Sequence, residues 1–290
     1  MNHEPTTGRV NHTRKELLHD RPPSKSAASF FLKRQKRVRS MSSSTAIRYS
    51  DESTLYELSE SLNSHHYASS AHYPAFLVAQ LGNEACHAFN ATWNNLQPDS
   101  YLSVGNGTRE RCICKFEYRQ RDRRWKTLEN CHFFQTQAHN PLLGGIQRTY
   151  ARSETSFIGS PVLQTLLAAD LALLDLTVGH RDWLVTCHQF RILCDEHNAG
   201  QATPEGRHRD GHDFVFQHLI QRQLVIGGES RVFHENGETV FSATLTDYME
   251  TIVLNDRTLL HEVSPLQKPH TSSNPGTRDM LIIDFDLTEH

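Results

Sequence analysis

Thr203-Pro-Glu-Gly-Arg-His-Arg-Asp-Gly-His-Asp-Phe214, continuing into Val215-Phe216, is the stretch on which the reading of this chain turns. A polar loop with glycines at 206 and 211 runs straight into an apolar strand, and His208 and Asp210 stand two residues apart at its end. Alternate residues of an extended chain point the same way, so both side chains can reach one ion. His261 lies further on, in Leu259-Leu260-His261-Glu262-Val263, after several strand-like runs that can bring it back beside the pair.

Those runs predict the fold class. After Asp182 the chain consists of short segments rich in β-branched and aromatic residues: 183–193, 214–220, 230–233, 239–245, 251–254, 258–263 and 280–285. Breaks at Gly200, Gly211, Gly227-Gly228, Gly237 and Gly276 separate them. Many short strands at this spacing indicate a sandwich or jelly roll. Upstream, 111–118 and 132–135 are strand-like. The apolar spacing from Tyr73 to Leu96 predicts an amphipathic helix, against which Gly82 counts. Ser160-Pro161, a capping hydroxyl before a proline at the first helical position, predicts a second helix over 162–176.

Composition sets the outer limits. The 290 residues, 37% of them hydrophobic, suffice for one sizeable core. No apolar run approaches the ~20 residues needed to span a bilayer, so a soluble protein is expected. The six cysteines include no Cys-x-x-Cys pair. Cys112 and Cys114 would point the same way on a strand, so buried free thiols and a cytoplasmic location are expected. Residues 1–40 carry ten Lys and Arg against three acids, about +7, so that the overall −3 leaves about −10 elsewhere. The first 45 residues, with Pro22, Pro23 and basic runs such as Lys33-Arg34-Gln35-Lys36-Arg37, have no sustained apolar period and are expected to form a disordered basic tail. Beyond that tail, no nucleic-acid or membrane partner is expected, and Met41 is a candidate start.

Two histidines and a carboxylate on one face of an iron leave three coordination positions open, the ligand set of non-haem Fe(II) oxygenases. With 19 histidines, a His-x-Asp triplet should occur about once by chance, and His180-Arg181-Asp182 is a rival. It follows Gly179, a helix stop, and has no second glycine, so it is set aside as structural. His212 is the one near neighbour that could substitute as a ligand. Arg278, just before Met280-Leu281-Ile282-Ile283, opens the last apolar strand. A guanidinium there is costly to bury without an anion, and the far carboxylate of a dicarboxylic co-substrate is a natural partner.

Together the Thr203–Phe214 stretch, Gly227-Gly-Glu-Ser-Arg231, Leu254-Asn-Asp-Arg257, His261-Glu-Val-Ser-Pro265 and Arg278-Asp279 resemble the bacterial 2-oxoglutarate/Fe(II) dioxygenase family that includes L-isoleucine dioxygenase. Phe134-Gln135, Asn140, Gly144-Gly145 and Arg148 extend the likeness upstream. Arg109-Glu110-Arg111 stands where the family tends to carry a denser arginine cluster, and 267–277 looks longer than usual.

The resemblance implies a mainly β protein with flanking helices (α+β), built on a double-stranded β-helix of the jelly-roll, cupin-like kind. Residues 46–290 would form the catalytic domain, with a helical and strand flank over 46–179 and the β-helix over 180–287. It further implies Fe(II) on His208, Asp210 and His261, with 2-oxoglutarate and O2 as co-substrates. Arg278 would anchor 2-oxoglutarate, with Arg257 and Arg231 as the next candidates. The reaction would hydroxylate a free amino acid or related metabolite and release succinate and CO2. Gln135, Asn140, Arg148 and Arg191 are the candidate substrate contacts. A peptide or protein hydroxylase of the same chemistry, and a non-catalytic β-sandwich that binds a ligand, are the competing readings.

Overall fold

A computed structural model describes residues 44–101, 108–269 and 274–288. The basic tail expected over residues 1–45 lies almost wholly outside them. By its contacts the chain divides after Arg48, and the account below concerns the unit Tyr49–His290.

The main helices are α1 (Ser44–His65), α2 (Asn83–Ala91) and α3 (Pro161–Val178). At the start of α3, the Ser160 hydroxyl accepts a hydrogen bond from the Val162 N–H at 3.2 Å, the cap foreseen from Ser160-Pro161. The continuous helix expected over Tyr73–Leu96 does not form. Gly82 adopts φ +84°, a conformation that glycine reaches without steric cost, and divides the stretch into Ala75–Ala79, α2 and a 3-10 turn at Thr92–Asn95. By length and composition α3 is apolar enough to cross a membrane, contrary to the expectation that no segment would be. Its leucines Leu163, Leu166, Leu173 and Leu174 are instead buried in the core.

Ten strands matter for the site: β1 (Tyr67–Ser70), β2 (Thr108–Arg119), β3 (Arg124–Leu128), β4 (Trp183–Cys194), β5 (Phe214–Gln223), β6 (Ser230–Phe233), β7 (Thr239–Ala243), β8 (Thr251–Asn255), β9 (Leu260–Val263) and β10 (Gly276–Leu287). The large sheet runs in the order β1-β8-β5-β10-β4-β2, with β3 paired to β2. The small sheet runs β7-β6-β9. Its far edge is extended by His208, which forms an isolated antiparallel bridge with His261. From β4 onward the chain passes repeatedly between the two sheets, which is the path of a jelly roll. β2, from the segment expected as flank, pairs with β4 from Thr108 to Tyr118 and so widens the large sheet.

Strand alternation gives the large sheet two different faces. Cys112 and Phe116 of β2, Val185 and Cys187 of β4, Phe216 of β5 and Leu281 and Ile283 of β10 pack with the leucines of α3 in one core. A buried polar group also lies in that core. His218 lies 3.0 Å from the Asp170 carboxylate of α3 and 2.8 Å from the Thr251 hydroxyl, which satisfies an acid in an otherwise apolar helix. On the other face Arg109, Ile192 and Arg278 form one cross-strand row, and Arg111, Phe190 and Met280 the next. These residues face the cavity described below.

Candidate metal centre and its pocket

His208 and His261 are held by their backbones before any side chain is considered. Each N–H donates to the other's carbonyl, at 3.0 and 2.9 Å. His208 Nδ1 lies 2.9 Å from the Gly206 carbonyl, so that nitrogen carries a proton and Nε2 is the one left to face Asp210 and an ion. His208 Nε2 is 3.4 Å from Asp210 Oδ1, and His261 Nε2 is 3.3 Å from Asp210 Oδ2. One donor atom from each of the three residues lies within 4.8 Å of the others, spacing compatible with a single ion bound at about 2 Å.

The electrostatics follow from this crowding. Burial alone would raise Asp210, but hydrogen bonds and charge from the two imidazoles outweigh it and hold the carboxyl well below its usual range. Burial alone would lower His208, and Asp210 more than reverses that, to about 9. The site thus concentrates negative charge between two nitrogen donors, an arrangement that a divalent cation satisfies.

Asp256 shapes the loop that presents these groups. Fully buried, its carboxylate accepts the backbone N–H groups of Asp210 (3.1 Å), Gly211 (2.6 Å) and His212 (3.1 Å). At Gly211, φ is +93° and a Cβ would lie 2.4 Å from His139 Nδ1, so this close turn requires glycine. Gln135 adds a side-chain contact, its amide N–H donating to the Asp210 carbonyl at 2.9 Å and to Oδ1 at 3.2 Å. Outer partners of this kind typically change metal affinity by about 10 to 100-fold when removed. Asp256→Ala should therefore weaken Fe(II) binding by about that factor without unfolding the protein. Anaerobic metal titration against a chelator, with circular dichroism as control, measures both.

The triad lines a cavity of about 840 Å³, open mouth included, between the sheets. Arg278 lies in its wall, 2% exposed, with Nε and Nη2 lacking any partner. Burial and the like charge of Arg222 push it down to about 10. At Gly228 a Cβ would lie 2.5 Å from Leu266 Cδ2 and 3.4 Å from Arg278 Cδ, so the glycine pair lets the turn close against this arginine. A buried guanidinium with two orphaned N–H directions fits an incoming carboxylate.

Of the other candidates, Gln135, Asn140 and Arg148 line the cavity, whereas Arg191, Arg231 and Arg257 do not. Arg191 occupies an odd position on β4 and points away, gripping Asp279 with two 2.8 Å bonds. Arg231 is bonded to Glu229 at 2.6 Å, and Arg257 to Asp213 at 3.0 Å on the surface. The polar atoms of Gln135 and Asn140 are already engaged. Gln135 Oε1 accepts from Arg148 and Asn140, and Asn140 Oδ1 accepts the backbone N–H groups of Leu142 and Leu143. They act as scaffold for the loop and for Asp210.

The rival triplet is scattered, His180 lying on the surface against Asp175 while Asp182 meets Arg119. His212 turns from the triad toward Asp286, at 2.9 Å. Sequence reasoning assigned no role to Asp256, Arg109, Arg111, His188, Glu205 or Asp284. His188 Nε2 donates to Asp284 at 2.7 Å, while its Nδ1 faces Arg111 at 2.7 Å, so the ring is a neutral acceptor for that arginine. Burial pushes the Asp284 carboxyl up to about 8. The two-residue period of β2 and β10 was the available signal for Arg109, Arg111 and Asp284.

A jelly roll with two imidazoles and a carboxylate converging in its cavity defines the class of non-haem Fe(II) oxygenases. Residues 90–284 match the 2OG-Fe dioxygenase family, and the chain belongs to it. Fe(II), 2-oxoglutarate and O2 are the cofactor and co-substrates of that family. The chain is 31% identical over 159 residues to a 3(1)-hydroxy-L-isoleucine 4-dioxygenase of Pantoea ananatis, covering 53% of this chain and 64% of that protein, just under two thirds of its length. Among solved structures it is similar to a bsmA homologue from Methylobium petroleophilum, with TM-score 0.70 and 27% identity over 80% of this chain and 93% of that one. The IDO structure from Bacillus thuringiensis shares the fold, with TM-score 0.67 and 19% identity over 81% and 96% of the two chains.

Proposed function

We propose that this protein hydroxylates an unactivated C–H bond of a small metabolite of the free amino acid class. His208, Asp210 and His261 would hold Fe(II), and Arg278 would take the far carboxylate of 2-oxoglutarate. When bound, iron supplies the oxidising chemistry: 2-oxoglutarate and O2 are converted to succinate and CO2, and the second oxygen atom enters the substrate as hydroxyl.

The observation that carries this reading is the unpartnered Arg278 in the wall of the cavity that also holds the triad. The residues around it have definable tasks. His208 and His261 would turn their Nε2 atoms to the ion, Gln135 and the Asp256-anchored loop aim Asp210, and Phe190, Ile192, Val263 and Ile282 provide apolar wall that excludes water. Such a wall suits an aliphatic side chain, and the activity in the name of the Pantoea ananatis relative supports the same substrate class. The six free cysteines support a reducing, cytoplasmic setting.

Succinate release by the anaerobically Fe(II)-loaded protein, started with O2 and 2-oxoglutarate against a panel of free L-amino acids, tests the proposal. Aliphatic members should stimulate release above the uncoupled background. A panel that leaves it at background, in protein that still binds 2-oxoglutarate, would remove this function.

A further inference from the structure

Three arginines in the cavity wall, Arg278, Arg111 and Arg148, lack a carboxylate partner, and the co-substrate accounts for only one of them. Arg111 is 4% exposed, and its sole polar side-chain contact is the His188 ring nitrogen. Its Nε has no partner. The guanidinium lies 3.9 Å from the Tyr150 ring centroid, 4.5 Å from Phe190 and 5.0 Å from Phe133, an aromatic box that fixes its plane without neutralising it. The acid that could have paired with it, Asp99, is bonded to Arg109 instead, at 2.8 Å. Arg148 stands beside the same rings, with Nη2 on Gln135 at 2.5 Å, Nη1 on the Tyr150 hydroxyl at 3.3 Å and Nε unpartnered. Burial pushes Arg111 down to about 10, the response of a cation without a counter-ion.

We infer that Arg111, with Arg148 beside it, forms a second anion site in the cavity, which takes the carboxylate of the primary substrate. This rests on the reading of the cavity as a dioxygenase site. The sheet register keeps the two anion sites apart. Arg278 and Arg111 lie on strands separated by β4 and on successive inward-facing rows. Their backbones are therefore on the order of 10 Å apart, and Phe190, in the same row as Arg111, stands on the strand between them. Arg111 is held on the His188 ring nitrogen, whereas the Arg278 side chain packs beside Gly228, so each guanidinium is fixed at its own place in the wall. Two separate molecules, each with its own acid group, can occupy the two places. A substrate anchored at Arg111 would extend its side chain along Phe190 and Ile282, which places an α-carboxylate at one end and an aliphatic carbon nearer the triad.

The test is calorimetric and needs no turnover. Full-length protein loaded anaerobically with Fe(II) and 2-oxoglutarate is titrated with L-valine, L-leucine and L-isoleucine, and with their carboxamides, which keep the amine and side chain but lose the negative charge. For at least one pair the acid should bind about tenfold or more tightly than the amide. Arg111→Gln, which can still donate to His188, should erase that ratio by weakening the acid alone. Arg111→Lys should restore part of it, and 2-oxoglutarate affinity should be unchanged in both variants. Equal binding of acid and amide by the wild-type protein would overturn the inference, and this measurement does not depend on any variant folding. Equal loss of acid and amide in Arg111→Gln, or loss of 2-oxoglutarate affinity instead, would also overturn it. A wild-type protein that prefers the acids yet releases no succinate with any amino acid would keep the anion site and remove the hydroxylase reading.

Discussion

Asp210→Ala should give a folded protein that releases no measurable succinate and no longer retains Fe(II). The argument starts from the donor set. Asp210 is the only carboxylate among the three residues whose ligand atoms converge, and its two oxygens face one imidazole each, at 3.3 and 3.4 Å. Without it, two neutral imidazoles remain to hold a divalent ion, a much weaker site. The fold should survive because the loop is fastened by its backbone. Asp256 accepts the N–H groups of residues 210 to 212, which alanine retains, and His208 and His261 pair through main-chain atoms. Metal titration, succinate release and thermal unfolding together separate loss of the site from loss of the protein. Retention of near wild-type activity would remove the triad from the mechanism.

The convergence of His208, Asp210 and His261 was legible in the sequence because its signals are local: a glycine-bounded polar loop feeding an apolar run, and a lone histidine within a strand. The direction in which a strand residue points was harder to read. Arg191 and His188 both lie on β4, most of whose residues are buried on both faces, so the usual polar and apolar alternation that marks a solvent face is absent. Which parity faces the cavity depends on the pairing of β4 with β2 and β10, a tertiary fact. Parity does not separate Arg191 from its neighbours in the sequence, whereas Arg111 lies on a strand assigned to the flank and given no place beside the cavity. Asp256 was missed for a related reason. Its neighbour Arg257 carries the more conspicuous charge, but Arg257 ends on the surface against Asp213, and Asp256 turns inward to three main-chain donors of a distant loop. Helix limits were legible wherever a specific backbone device sets them, as Ser160 does for α3. They failed across Gly82, where a positive φ interrupts an apolar period that is otherwise helical.

Arg278→Leu should raise the apparent Michaelis constant for 2-oxoglutarate by about 30-fold or more while leaving that for the primary substrate near its wild-type value. Removing one partner of a desolvated charge pair typically costs about 2 to 5 kcal/mol, and 1.4 kcal/mol is tenfold in affinity. The structure places Arg278 at the demanding end of that range, since it is 2% exposed and two of its donor nitrogens have no protein partner. The neighbouring cations among the described residues are engaged elsewhere. Arg222, the adjacent cation, is committed to the carbonyls of Leu245 and Gly227 at 3.1 and 2.9 Å, and Arg231 and Arg257, the alternatives suggested by sequence, lie outside the cavity on carboxylates of their own. The substitution should not harm the fold, because it replaces a buried charge that burial already disfavours with an apolar chain beside Leu266 and Met280. Titrating each substrate in turn at saturation of the other makes the discrimination. An unchanged 2-oxoglutarate constant would move the anchor to Arg111 or Arg148, and a parallel loss for both substrates would mean that Arg278 supports the cavity rather than binding within it.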